Sequence, residues 1–153
     1  MHYLDKKIPP LLVAVCFGLA MWVLSRFAPA LDLSPIAKTA ITLAAVLAAA
    51  VFGVAAVVSF RRARTTVNPL QPEAASALVT SGIYRYTRNP MYVAMALLLV
   101  ALSAWLAFPW SLLCVAGFVS YMNRFQIAPE ERALEALFSE EYRRYCARVR
   151  RWV

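Results

Sequence analysis

Two short stretches gather the residues able to do chemistry. The first, Gly82-Ile-Tyr-Arg-Tyr-Thr-Arg-Asn-Pro-Met-Tyr92, sets Arg85, Arg88, Asn89 and the hydroxyls of Tyr84, Tyr86 and Tyr92 at what reads as a helix start. Arginine beside the positive end of a helix dipole suits a carboxylate or phosphate. The second, Pro129-Glu-Glu-Arg-Ala-Leu134, offers adjacent carboxylates near Arg124, a combination suited to an ammonium, a sulfonium or ribose hydroxyls. Each stretch also has a plain architectural reading. Asn89 is a good N-cap and Pro90 a good first helical residue. The tyrosines can form an aromatic belt, and Glu130 and Glu131 can complement the dipole of a helix opened by Pro129.

Other chemistries are excluded by what is scarce. His2 is the single histidine, and Cys16, Cys114 and Cys146 are scattered and odd in number, so neither a Ser-His or Cys-His engine nor a metal site is expected. The four glycines, Gly18, Gly53, Gly82 and Gly117, form no G-x-G-x-x-G and no P-loop. Any nucleotide-like cofactor must be held in another way.

The elements that carry these residues are written in the apolar pattern. Of 153 residues 62% are hydrophobic, above the ~45–50% of soluble domains. No linker composition divides the chain, so residues 1–153 read as a single membrane-embedded domain. Uncharged runs predict spans over about 8–27 and 39–60. A third run, Asn89 to Asn123, is too long for one crossing, and Pro109 among aromatics predicts a tight hairpin between spans at about 90–108 and 110–127. To reach the far surface the fourth span must pass Arg124, which places that guanidinium at the membrane boundary, as a snorkelling residue or a functional one. Beyond it, Leu134, Leu137, Phe138, Tyr142, Tyr145, Val149 and Trp152 recur at helical spacing, predicting an amphipathic cytoplasmic helix over about 129–150. It would lie on the membrane or fold back as a lid. The expected class is all-α integral membrane, with four transmembrane helices plus this tail.

Charge sets the orientation. Fourteen of sixteen basic residues fall before the first span, between the second and third, or in the tail, while Arg26 and Lys38 sit opposite. By the positive-inside rule both termini are cytoplasmic. The formal net charge of +8 therefore encodes topology and contact with the lipid bilayer, not nucleic-acid binding.

In sequence, Arg88-Asn-Pro-Met-Tyr-Val-Ala94, Glu130-Glu-Arg-Ala-Leu134 and Phe138-Ser-Glu-Glu-Tyr142-Arg-Arg-Tyr145 resemble the isoprenylcysteine carboxyl methyltransferase and phospholipid methyltransferase superfamily. Its pattern is Arg-His-Pro-x-Tyr-x-Gly, then Glu-Glu-x-x-Leu one hairpin later, then Phe-Gly-x-x-Tyr-x-x-Tyr. Asn89 stands at the family's histidine, as in bacterial-type members, keeping a polar group but not a titratable one. Ala94 and Ser139 stand at its glycines, where close packing is at stake. The resemblance implies an S-adenosylmethionine-dependent methyltransferase without a Rossmann fold, releasing S-adenosylhomocysteine. By position, Arg88, Asn89, Pro90, Tyr92, Glu130, Glu131 and Leu134 would line the cofactor pocket, with Tyr142 and Tyr145 in its cover. Arg124 would orient an acceptor carboxylate, or Glu131 would take the acceptor's proton. The acceptor would be lipophilic or small: an isoprenylcysteine-like carboxylate, a phospholipid amine or similar. A bacterial member would sit in the inner membrane. Two other readings remain at this stage, an NADPH-dependent membrane reductase of related fold and a non-catalytic membrane adaptor.

Overall fold

The computed structural model describes residues 8–27, 29–63 and 78–153. Within them the elements are helical: α1 (Pro10–Leu24), α2 (Pro35–Ala63), a short 3-10 turn (Gly82–Arg85), α3 (Pro90–Leu106), α4 (Ser111–Tyr121), a π-helical turn (Met122–Ile127) and α5 (Ala128–Arg148). Prolines open α1, α2 and α3 at their first turns, where the missing N–H costs nothing. Ser34 Oγ accepts the Ala37 N–H at 3.2 Å and caps α2.

α3 is the central helix. Its longest packing partner is α2, with α1 and α4 also against it. The close approach of α2 and α3 is made by Gly53 facing Ala94, where an added Cβ would meet the Ala94 methyl at 3.7 Å. Ala94 is therefore occupied in helix packing. The other side of α3 joins Leu99 to Val13, Met21, Phe118 and Met122 in the main core, where Phe17 and Phe118 meet edge to face at 6.0 Å.

The α3–α4 hairpin forms as expected around Pro109. Ala107 ends α3 in the left-handed conformation at φ 48°, and Ser111 Oγ meets Ser103 Oγ at 2.6 Å beneath the turn. The α1–α2 connection reaches the same end of the molecule, where the Leu31 N–H donates to the Ala107 carbonyl at 2.7 Å. Arg26 lies over Trp22 and Lys38 over Trp105, each 4.7 Å from the ring centroid.

Several expectations change. The first span is shorter than the 8–27 run, since α1 has 15 residues, and α3 has 17. Among the described residues α2, at 29 residues, is the helix long and apolar enough to cross a membrane by that measure alone. Between Arg61 and Arg88 the described residues hold the end of α2, to Ala63, and the 3-10 turn Gly82–Arg85, while 64–77 and Lys6 and Lys7 lie outside them.

The fourth span and the tail are not separate elements. α4 runs through the π-helical turn into α5, every junction residue keeping helical dihedrals. Pro129 has no N–H to return to the preceding turn, and the widened π turn just before it accommodates that loss. The tail itself is not one straight helix. Ser139, at φ 40° and ψ −113°, breaks α5 in two. Arg143 then reaches back to Glu135 at 2.8 Å, a pair that a straight helix would hold ~12 Å apart along its axis. The lid reading of the tail is the one observed.

Candidate active site

The fold-back brings the two sequence stretches together. Beyond the kink, α5 ends at Arg148, and residues 149–153 run along the start of α3. The Arg88 N–H donates to the Arg150 carbonyl at 3.0 Å. The Arg151 carbonyl accepts from Thr87 Oγ1 at 3.3 Å and Asn89 Nδ2 at 2.8 Å. Trp152 Nε1 donates to Asn123 Oδ1 at 3.0 Å, and its ring packs on the core. Asn89 does not cap α3 with its side chain; its Nδ2 instead donates to this segment.

Two carboxylates lie at the centre. Glu131 accepts a bidentate hold from Arg151, Nε at 3.0 Å and Nη2 at 2.5 Å, while Arg88 Nη1 stands 3.2 Å away. Its side chain is 21% exposed and that of Arg88 16%, so screening by water is weak. Glu130 accepts the Tyr92 hydroxyl at 2.5 Å and Gln126 Nε2 at 2.9 Å. Neither acid sits at a free helix N-terminus, since the helix continues through them from α4. Dipole complementation thus fails to explain them.

The limb beyond Ser139 covers this network. Tyr142 and Tyr145 are buried with rings 6.4 Å apart, and Cys146 Sγ lies against Arg88 Nη1. The Tyr145 hydroxyl donates to the Tyr84 carbonyl at 2.8 Å, and Tyr84 packs edge to face on Phe60 of α2 at 5.4 Å. Burial pushes the pKa of Tyr84, Tyr142 and Tyr145 well above the ordinary tyrosine value, and the Glu131 carboxylate raises that of Arg151. All stay in their hydrogen-bond-donating forms at neutral pH. Beside Tyr145 an open cleft of about 430 Å³ is lined by Thr80, Ser81, Arg85, Arg148 and Val149.

Of the residues singled out in the sequence, Arg88, Asn89, Pro90, Tyr92, Glu130, Glu131, Tyr142 and Tyr145 converge here. Leu134 is half-buried one turn further along α5. Arg124 is not brought in: it is exposed, its guanidinium 6.0 Å from the Phe125 ring centroid. The sequence reading missed Gln126, Cys146, Arg151 and Trp152. Gln126 was findable, as a polar residue four before Glu130 at the end of an apolar run. No local signal marks Arg151, because its partner is 20 residues away across the kink.

Arg88 keeps one group in reserve. Its Nε is buried and has no hydrogen-bond partner. With the adjacent acids, this donor suits a ligand that carries both an anionic and a cationic or hydroxyl group.

Apolar side chains cover the outer faces of the helices, with Leu47 65% and Val54 64% exposed on α2 and Leu19 and Leu113 also outward. Together with the charged network at one end of α3, this defines a membrane-associated helical protein with a polar site at its edge. The chain belongs to the phospholipid methyltransferase family, whose model matches residues 37–141. A protein of Haemophilus influenzae described as uncharacterized is 46% identical over 63 residues, the whole of that protein and 41% of this chain. No solved structure matches.

Proposed function

We propose that this chain is an integral-membrane methyltransferase that uses S-adenosylmethionine and methylates a lipophilic or small acceptor, such as an isoprenylcysteine-like carboxylate or a phospholipid amine. The observation that carries this reading is the buried, unpaired Arg88 Nε beside the two acids, within a chain of a methyltransferase family. The cofactor's amino-acid carboxylate fits Arg88, and its amine and ribose hydroxyls fit Glu130 and Glu131. Asn89, Pro90, Tyr92 and Leu134 would line the pocket under Tyr142 and Tyr145. When bound, the cofactor supplies an electrophilic methyl group.

What the protein must add is alignment and exclusion of water, because methyl transfer is an in-line displacement. Tyr92 and Gln126 hold the Glu130 carboxylate, Arg88 and Arg151 hold Glu131, and the limb beyond Ser139 closes over them. With both oxygens on guanidiniums, Glu131 serves as an anchor; Arg124 stays outside this network, exposed beside Phe125, and in this reading would meet an acceptor carboxylate at the membrane boundary.

The outward apolar faces support four crossings, the continuous α4–α5 helix compensating for the short α4, and the split of basic residues supports a candidate site on the cytoplasmic side. A cysteine probe at Gln71, outside the described residues, should label only from the cytosol. Calorimetry with S-adenosylhomocysteine, in detergent and in nanodiscs, should give one site per chain at micromolar affinity, on the order of −8 kcal/mol. Folded protein giving no heat in either medium would remove the cofactor assignment. Mass spectrometry of a lipid extract treated with methyl-labelled cofactor then identifies the acceptor.

A further inference from the structure

Arg88 and Arg151 compete for one carboxylate. An arginine facing a carboxylate favours the fork, with two parallel N–H···O bonds through Nε and one Nη. Arg151 has that fork on Glu131, through Nε at 3.0 Å and Nη2 at 2.5 Å. Arg88, although the less exposed of the two, is left with a single 3.2 Å approach through Nη1, and its Nε goes unpaired. An unpaired buried guanidinium N–H is costly, so the structure must be preventing Arg88 from turning its own fork onto Glu131. Arg151 is what stands in that place. It is carried there by residues 149–153, which are fastened to Thr87, Arg88, Asn89 and Asn123. These residues lie beyond the portion matched by the family model.

We propose that Arg151 is a positioning residue: by occupying Glu131 it holds the Arg88 Nε free for the carboxylate of the bound ligand. This rests on the methyltransferase reading above, and it adds a specific role for a residue that touches no ligand. The limb beyond the Ser139 kink lies against Arg88 through Cys146. In Arg151→Gln the Glu131 carboxylate loses its bidentate partner, and Arg88 closes its fork on it. The fold keeps an ion pair, while the ligand loses its anchor.

The test compares two ligands on the full-length protein in nanodiscs: S-adenosylhomocysteine, and methylthioadenosine, which lacks the whole amino-acid part, carboxylate and amine together. Arg151→Gln should weaken S-adenosylhomocysteine by on the order of 10- to 150-fold, the worth of a charge-assisted hydrogen bond, and leave methylthioadenosine within about twofold. Arg151→Lys, which keeps the charge but not the fork, should fall between. Arg143→Gln, in the exposed pairs with Glu135 and Glu140, serves as the control and should change neither. Equal weakening of both ligands would mean that Arg151 merely holds the fold, and unchanged binding of both would remove it from the site; either result overturns the proposal. Wild-type protein that binds neither ligand would instead overturn the methyltransferase reading itself. Should Arg151→Gln fail to fold, the Lys variant still decides, because a loss confined to the ligand with the amino-acid part and a uniform one remain distinguishable.

Discussion

Tyr92 donates its hydroxyl to Glu130 across 2.5 Å, tying the first turn of α3 to the helix that carries both acids. The bond joins residues 38 positions apart and is shared with Gln126, whose side chain the π-helical turn directs inward.

Tyr92→Phe removes that hydroxyl without changing the ring. Glu130 keeps Gln126 but loses a charge-assisted bond, and stability should fall by about 1.5–3 kcal/mol. Thermal unfolding in detergent measures it. A melting temperature equal to wild type would show that the bond is not formed in solution.

The two acids should separate from an exposed one. Glu131→Gln leaves Arg88 and Arg151 facing a neutral amide, and Glu130→Gln leaves Tyr92 facing one. Each should weaken S-adenosylhomocysteine by roughly tenfold or more. Glu140→Gln, whose partner Arg143 is itself exposed, should leave affinity unchanged. Titrations of the three variants decide the matter, and three matching dissociation constants would exclude both acids from the site.

Ser139→Gly should stabilise the protein. At φ 40° and ψ −113° a Cβ is strained by about 1–3 kcal/mol, and glycine removes that strain at an entropic cost of about 0.5–1 kcal/mol. The net gain of roughly 1 kcal/mol is readable as a higher unfolding midpoint. Ser139→Ala, which keeps the Cβ, should show none of it.

Gly82→Ala should destabilise for two separable reasons. The residue has φ +62°, and a Cβ there would stand 2.6 Å from Ser59 Oγ on α2. Adding Ser59→Ala removes the close oxygen, since the next contact is 3.8 Å away, while the backbone strain of about 1–2 kcal/mol remains. The double variant should recover part of the loss, and recovery of all or none would contradict this account of how the 3-10 turn seats against α2.

The buried tyrosines of the cover set the alkaline limit. Their folded pKa lies above the unfolded value of about 10, so the folded state holds these protons more tightly. Their contribution is complete below pH ~10 and is lost as pH rises beyond it. Melting temperature should therefore drop steeply above pH ~10. Tyr145→Phe should be less stable at neutral pH by about 0.5–1.5 kcal/mol, having lost its bond to the Tyr84 carbonyl, and show a shallower alkaline decline.

What was legible in the sequence followed local rules. Prolines at first turns, the Pro109 hairpin and apolar runs gave α1 to α3 and the turn between α3 and α4. The meeting of Arg88 and Tyr92 with Glu130 and Glu131 was readable through the family pattern. Ser139 was visible as a departure from glycine, yet its consequence was hidden: the apolar spacing from Leu134 to Trp152 continues across it as if one helix ran on. Arg151 reads in sequence as one of the charges that set topology, because nothing near it announces a partner across a reversal of direction. In sequence Pro129 reads as a helix start, since proline there looks the same whether a helix begins or widens.

That widening keeps two faces in phase. Upstream of Met122 the helix presents Leu112 and Leu113 outward; downstream it must aim Glu130 and Glu131 at α3. Each residue advances a helix by about 100°, so the π-helical turn acts as an angular offset between a lipid-facing half and an acid-bearing half of one rod. Inserting one alanine between Met122 and Ile127, where the π-helical turn already holds its extra residue, would leave composition and hydrophobic length almost unchanged. It would also rotate both carboxylates by about 100° away from Tyr92 and Arg88, uncoupling the site while the membrane half stayed in place.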